Sequence, residues 1–256
     1  MTNDDTSPVS VETADVVVVG AGLFGTSIAF QLASRGAGSI VLLERDTVGA
    51  GDSGLSFSMV RRHYSNEAPA RLAMRGVELI KRWPEAVGAG DAGYVATGYL
   101  LTCDIERLGR LAENVERLVA WGVDTRVVEP GEIAELEPLL SLDGIAGAAY
   151  EPDGGYADAQ KMALGWFAAE WLGGFAGAYD YTPDWNPILG WAPGVEGLYL
   201  ALGWSGHGFK LAPSAGEVAA AHVLGESHAI DVESLAPERF AHGNLLALAY
   251  GPGARA

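Results

Sequence analysis

Residues Asp15 to Glu44, DVVVVGAGLFGTSIAFQLASRGAGSIVLLE, constrain the fold more than any other stretch of the chain. Val16 to Val19 are four consecutive β-branched residues, the pattern of a strand buried on both faces within a parallel sheet. They run into Gly20-Ala21-Gly22-Leu23-Phe24-Gly25, a G-x-G-x-x-G loop. Its glycines permit a tight turn, a close backbone approach to a pyrophosphate and close packing of helix on strand. Ile28, Ala29, Leu32 and Ala33 give the next helix an apolar face, Gly36 and Gly38 end it, and Ile40 to Leu43 form a second buried strand. Glu44 closes the unit at the spacing of an acid that grips a ribose hydroxyl pair. A glycine loop alone is compatible with an ordinary tight turn. Strand, loop, helix, strand and terminal acid together predict a dinucleotide site.

The chain has 256 residues, 49% of them hydrophobic, enough for one large domain or two interleaved ones. A net charge of -17 argues against nucleic acid or an anionic membrane as partner, because both would be repelled. Lysine occurs only at Lys81, Lys161 and Lys210, so a basic cluster stands out. Cys103 is the single cysteine, which excludes an intramolecular disulfide and a thiolate metal cluster; no metal site is expected. The lead Met1 to Thr13 is polar and acidic, without the pattern of a signal peptide, and no apolar run reaches the length of a membrane span. A cytoplasmic protein is the expectation.

Beyond Glu44, Arg45 to Gly54 form a loop of mostly small residues that should lie across the ligand. Ser56 to Tyr64, SFSMVRRHY, carries adjacent arginines: Arg62 is read as surface charge, and Arg61 as a candidate ligand for a substrate anion. An amphipathic helix through Leu72, Val77, Leu79 and Ile80 should stop before Pro84, and Gly93 to Thr102 reads as strand. Asp104 should cap a helix bearing Leu108, Leu111, Val115, Leu118 and Val119; a shorter helix fits between Pro130 and Pro138. Ala146 to Tyr150 reads as a strand, Asp153-Gly154-Gly155 as a turn, and Asp158 as the cap of a helix through Met162, Leu164 and Phe167. At Glu170-Trp171 the pattern changes abruptly to short pieces punctuated by glycine and proline. A strand at Leu198 to Leu202 leads into a second glycine-rich loop, Gly203-Trp204-Ser205-Gly206-His207-Gly208-Phe209-Lys210, with a helix expected over Ala215 to Leu224.

With both loops in view, the chain resembles the FAD-dependent D-amino acid oxidase superfamily, and within it the sarcosine, dimethylglycine and glycine oxidase group. The residues that carry the resemblance are the Gly20, Gly22, Gly25 loop with Glu44, the GDSG and MVRRHY stretch, EPDGGYAD at Glu151 to Asp158, YTPDWNPILG, and GWSGHGFKLAP at Gly203 to Pro213. The matched segments cover most of the chain from Asp15 to Phe240. The resemblance implies an α/β fold: a Rossmann-like FAD-binding domain with a parallel sheet, plus a reduced α+β substrate domain. It implies that Gly20, Gly22, Gly25 and Glu44 hold the FAD pyrophosphate and ribose, and that Arg45, Ser53 and Gly54 touch the cofactor. Gly206, His207 and Gly208 would lie near the flavin pyrimidine ring, where a helix N-terminus stabilises negative charge. Arg61 and Lys210 match positions that bind the carboxylate of an amino-acid substrate; Lys210 also adjoins the cofactor, and His207 joins this pair as a catalytic candidate. The position where some family members tether FAD through cysteine is Tyr179 here, so noncovalent FAD is expected. The implied reaction is hydride transfer from the carbon beside the amine of a small amino acid or N-methyl amino acid, leaving an imine.

Family members are considerably longer, and a large block lies between their segments matching Asp158 to Glu170 and Trp171. Its absence removes another strand of the nucleotide-binding sheet and much of the substrate sheet. An exposed edge at Ile40 to Glu44 would then favour self-association. The expected organisation is a disordered lead (1–14), the first part of the FAD-binding domain (15–84), the reduced substrate domain (85–195, its helix 158–170 belonging with the FAD domain), the C-terminal part of the FAD-binding domain (196–240) and a frayed tail (241–256). Two alternatives stay open: an internally deleted remnant that binds FAD without turnover, and an NAD-dependent dehydrogenase. The second leaves GWSGHGFK and YTPDWNPILG unexplained.

Overall fold

A computed structural model describes residues 13–167 and 182–248. The expected lead, the abrupt break after Glu170, the Tyr179 position and the end of the tail lie outside them. The opening unit forms as β1 (Val16–Val19), α1 (Leu23–Ser34) and β2 (Ile40–Leu43), with the two strands parallel and Val16 paired with Ile40. Among the described residues no third strand joins them.

This corrects one expectation about β1. Val17 and Val19 are 52% and 82% exposed, so the strand is covered on one face only. Four β-branched residues fit a two-sided environment, but α1 supplies one wall and no described element supplies the other.

The middle of the chain follows as β3 (Met59–Val60), α2 (Glu67–Lys81), α3 (Trp83–Val87), β4 (Val95–Ala96), β5 (Tyr99–Cys103), α4 (Ile105–Ala120), β6 (Arg126–Val128), α5 (Pro130–Leu136), β7 (Gly147–Glu151), β8 (Gly155–Tyr156) and α6 (Ala159–Phe167). Asp104 caps α4 by accepting from Arg107 N, and the Asp158 carboxylate accepts from Gln160 N and Lys161 N at the start of α6, as their positions before apolar periodicity predict. An antiparallel sheet in the order β5-β7-β6 lies under α4, and a second, β3-β8-β4, joins it through the Glu151 to Gly155 turn.

The C-terminal part contains the antiparallel pair β9 (Ile188–Trp191) and β10 (Tyr199–Leu202), then α7 (Gly208–Val223) and the short α8 (Glu238–Ala241). Every residue of α7 from Phe209 to Ala221 is buried, and α1 and α2 pack along it. Its small residues make this possible: a Cβ at Gly216 would meet Ser27, and one at Gly76 of α2 would run into the Lys210 carbonyl. Here too the structure departs from expectation, because α7 begins at Gly208 rather than Ala215 and carries Pro213 inside it. Burial on all sides sustains a helix through residues that sequence rules place in a loop.

Candidate functional site

The first glycine loop forms a tight cradle at the head of α1. Gly20 adopts φ +97, a conformation that glycine alone enters without strain, and a Cβ on Gly25 would collide with the Gly20 carbonyl. The N-terminus of α1 carries no side-chain cap of its own and no acidic residue in its first turn. Instead Leu23 N donates to Ser53 Oγ at 3.0 Å, which brings the Arg45 to Gly54 loop against the cradle. Glu44 stands exposed at the end of β2; its Oε2 accepts from Ala21 N at 2.7 Å and its Oε1 from Asp46 N at 3.0 Å. The Ala21 N–H is the main reason its carboxyl lies below the usual range. Arg45 is exposed beside it, and Gly54 N donates back to Gly49 O at 3.1 Å.

The second glycine loop packs directly on the first. Phe24 stacks on Trp204 with ring centroids 3.5 Å apart, and a Cβ on Gly208 would come within 2.8 Å of the Phe24 ring. Gly203, Ser205 and Gly206 all take positive φ, so this loop turns sharply before α7. His207 precedes the helix, buried, its ring tilted against that of Tyr64 at 5.3 Å. Burial first, and then Lys210 and Arg61, push its pKa down to about 2, so the imidazole is neutral.

Beyond His207 two buried cations meet. Arg61 is 7% exposed and Lys210 3%. The Arg61 guanidinium lies 5.0 Å from the centroid of the Tyr64 ring and 5.7 Å from that of Tyr99, and Lys210 Nζ lies 5.5 Å from Tyr64. Arg61 also donates to the His63 carbonyl. Burial, and then Arg61, hold Lys210 well below an ordinary lysine, while Glu151 opposes them. Burial keeps the Tyr64 phenol protonated, and its hydroxyl has no partner among the described residues.

The profile of the DAO family, described as FAD dependent oxidoreductase, matches residues 15–174 and 167–222. The chain belongs to this family. It is 29% identical over 186 residues to the mitochondrial pyruvate dehydrogenase phosphatase regulatory subunit of Mus musculus, covering 72% of this chain and 21% of that protein. It is likewise 29% identical over 177 residues to glycine oxidase of Geobacillus kaustophilus, covering 66% of this chain and 46% of that protein. Among solved structures, L-proline dehydrogenase from P. horikoshii superimposes with a TM-score of 0.83 at 20% identity, covering 93% of this chain and 100% of that one. The chain thus spans about a fifth of the mouse relative and less than half of the glycine oxidase.

As a DAO-family oxidoreductase the chain uses FAD, and its residues fit that group. The Gly20 to Gly25 turn leaves room for a pyrophosphate because no Cβ fills it, and nothing within 4 Å would meet one at Gly20. Each Glu44 oxygen, with one donor already, retains a lone pair for a ribose hydroxyl.

Sequence reasoning located both loops and both cations but misplaced one neighbour. Arg62 is not surface charge: its side chain is largely enclosed, paired with Glu151 at 3.4 Å and Asp153 at 3.8 Å. Tyr64, Tyr99 and Glu151 were not singled out, although Tyr64 and Glu151 stand inside quoted family segments. Asn114, buried on α4, was also missed: its Nδ2 donates to the Tyr64 carbonyl at 3.3 Å and anchors the backbone that carries the ring. A polar residue on the apolar stripe of α4 was its only signal.

Proposed function

We propose that this chain oxidises the carbon–nitrogen bond of a small amino acid or N-methyl amino acid of the glycine or sarcosine type. The observation that carries the proposal is the convergence of Arg61 and Lys210 on the Tyr64 ring, two buried cations with no carboxylate in salt-bridge contact among the described residues. Such a pair needs an anion, and a planar guanidinium suits a carboxylate. An arriving carboxylate favours the charged form of Lys210, so binding and protonation at Nζ are coupled. The neutral His207 ring tilts against Tyr64, and the Phe24–Trp204 stack joins the second glycine loop to the cradle. Tyr64 Oη remains as a neutral donor toward whatever lies beside the carboxylate. FAD held in the cradle would supply a two-electron acceptor for the hydride of the carbon beside the amine, the amine losing a proton as the imine forms. The protein contributes orientation. Similarity to glycine oxidase supports the substrate class.

The exposed β1 face favours a second reading, a chain that holds FAD without turnover, because a bare wall beside the cradle lets water reach it. Anaerobic mixing of the FAD-loaded protein with sarcosine or glycine separates the two. Bleaching of the flavin colour is expected; colour that persists would leave the second reading. Lys210→Met should weaken acetate binding at least about tenfold, and an unchanged affinity would remove the carboxylate role.

A further inference from the structure

We propose, resting on the carboxylate role given above to Arg61 and Lys210, that Glu151 is the positioning residue of that site, fixing Arg61 through the adjacent Arg62 and supplying the counter-charge of the two cations. Glu151 is 0% exposed at the end of β7. Its Oε2 accepts from Arg62 N at 2.8 Å and from Arg62 Nε at 3.4 Å, gripping both backbone and side chain. Arg61 is the residue between the end of β3 at Val60 and this anchored Arg62, so its backbone is tied on both sides. Across the β5–β7 ladder Glu151 faces Tyr99, the ring over which the Arg61 guanidinium lies at 5.7 Å. The carboxylate and its cross-strand aromatic therefore define Arg61 from two directions.

Hydrogen bonding alone does not require a charge at this position. Oε1 of Glu151 is buried without a donor among the described residues, which costs stability, and burial pushes its carboxyl upward against the pull of Arg62 and Arg61. The charge serves the pair of cations. The groups adjoining Lys210 are Arg61 after β3, Tyr64 in the following loop, His207 before α7 and Glu151 on β7. Tyr64 and His207 stay neutral, and Arg61 drives Lys210 toward losing its proton. Glu151 pulls the other way.

The test is calorimetric titration of the FAD-loaded protein with acetate between pH 6 and 10. Glu151→Gln keeps an acceptor for Arg62 and removes only the charge. Lys210 then loses its proton at lower pH, so the upper limit of acetate binding should move down by about one unit or more, with little change below that limit. Glu151→Asp keeps the charge and shortens the reach. It should weaken acetate at every pH and leave the limit in place. An unmoved limit in Glu151→Gln, or a uniform loss at all pH values as a packing role would give, overturns the proposal. If Glu151→Gln does not fold, a displaced limit in Glu151→Asp overturns it equally. Acetate binding that ignores Lys210→Met overturns the carboxylate site itself, and this role of Glu151 with it.

Discussion

At Gly25 the glycine fingerprint reduces to sterics. A Cβ there would overlap the Gly20 carbonyl, a backbone atom that cannot rotate away. Gly25→Ala must therefore part α1 from β1 or tilt the loop, at a cost of about 1–3 kcal/mol or more. The expected outcome is a lower melting temperature together with loss of bound FAD, read from the flavin absorbance of the purified protein; full flavin content would contradict it. Gly25 and Gly20 were legible because local backbone geometry demands glycine there, and Glu44 because of its spacing at the end of β2. Arg61 stands out by following the glycine-rich loop so closely, and Lys210 only through its family motif. Arg62 and Glu151 were not legible, since a charge reads as solvated until its partner is known, and theirs is 89 residues away.

Helix α7 connects the cofactor cradle to the cation pair, and its position depends on glycine contacts. Gly76 of α2 meets α7 at the Lys210 carbonyl, and Gly216 of α7 itself, less than two turns further on, packs against Ser27 of α1. An added methyl at either site should destabilise the packing of α7 to a similar extent. Only Gly76→Ala moves the Lys210 backbone. Acetate affinity is expected to fall about tenfold or more in Gly76→Ala and far less in Gly216→Ala at comparable melting temperatures. Equal effects in the two variants would mean that Lys210 is not positioned through this crossing. Over the first half of α7, the glycine-rich run Gly203 to Lys210 argues locally for a loop. The contacts that override it come from α1 and α2, which sequence periodicity does not reveal. By contrast α2, α4 and α6 followed from periodicity and caps, because each has one solvated face.

Across the whole molecule, the α/β class was legible, whereas the bare face of β1 required knowing what packs against it. The C-terminal part contains a buried ion pair. Asp184 and Arg239, 1% and 4% exposed at the side chain, meet at 2.8 Å. Asp184 also accepts from Leu246 N at 3.2 Å and Asn186 N at 3.2 Å, so one carboxylate binds the YTPDWNPILG segment, α8 and the chain beyond it. Burial pushes Asp184 upward, but Arg239 and these N–H donors outweigh it and leave its pKa below the ordinary value. A depressed folded pKa means that this stabilisation is present above the unfolded value of about 3.9 and is lost as pH falls through the folded one. Arg239→Met removes the main opposing group and leaves a buried carboxylate, a loss of about 3–5 kcal/mol near neutrality. Burial then raises the Asp184 pKa, so protonation relieves the variant at a pH where the wild type gains nothing. The gap in melting temperature between the two should be widest at pH 7 and narrow steadily toward pH 4. A gap independent of pH would show that Arg239 acts through packing against Phe240, over whose ring it lies at 4.2 Å, rather than through the charge of Asp184.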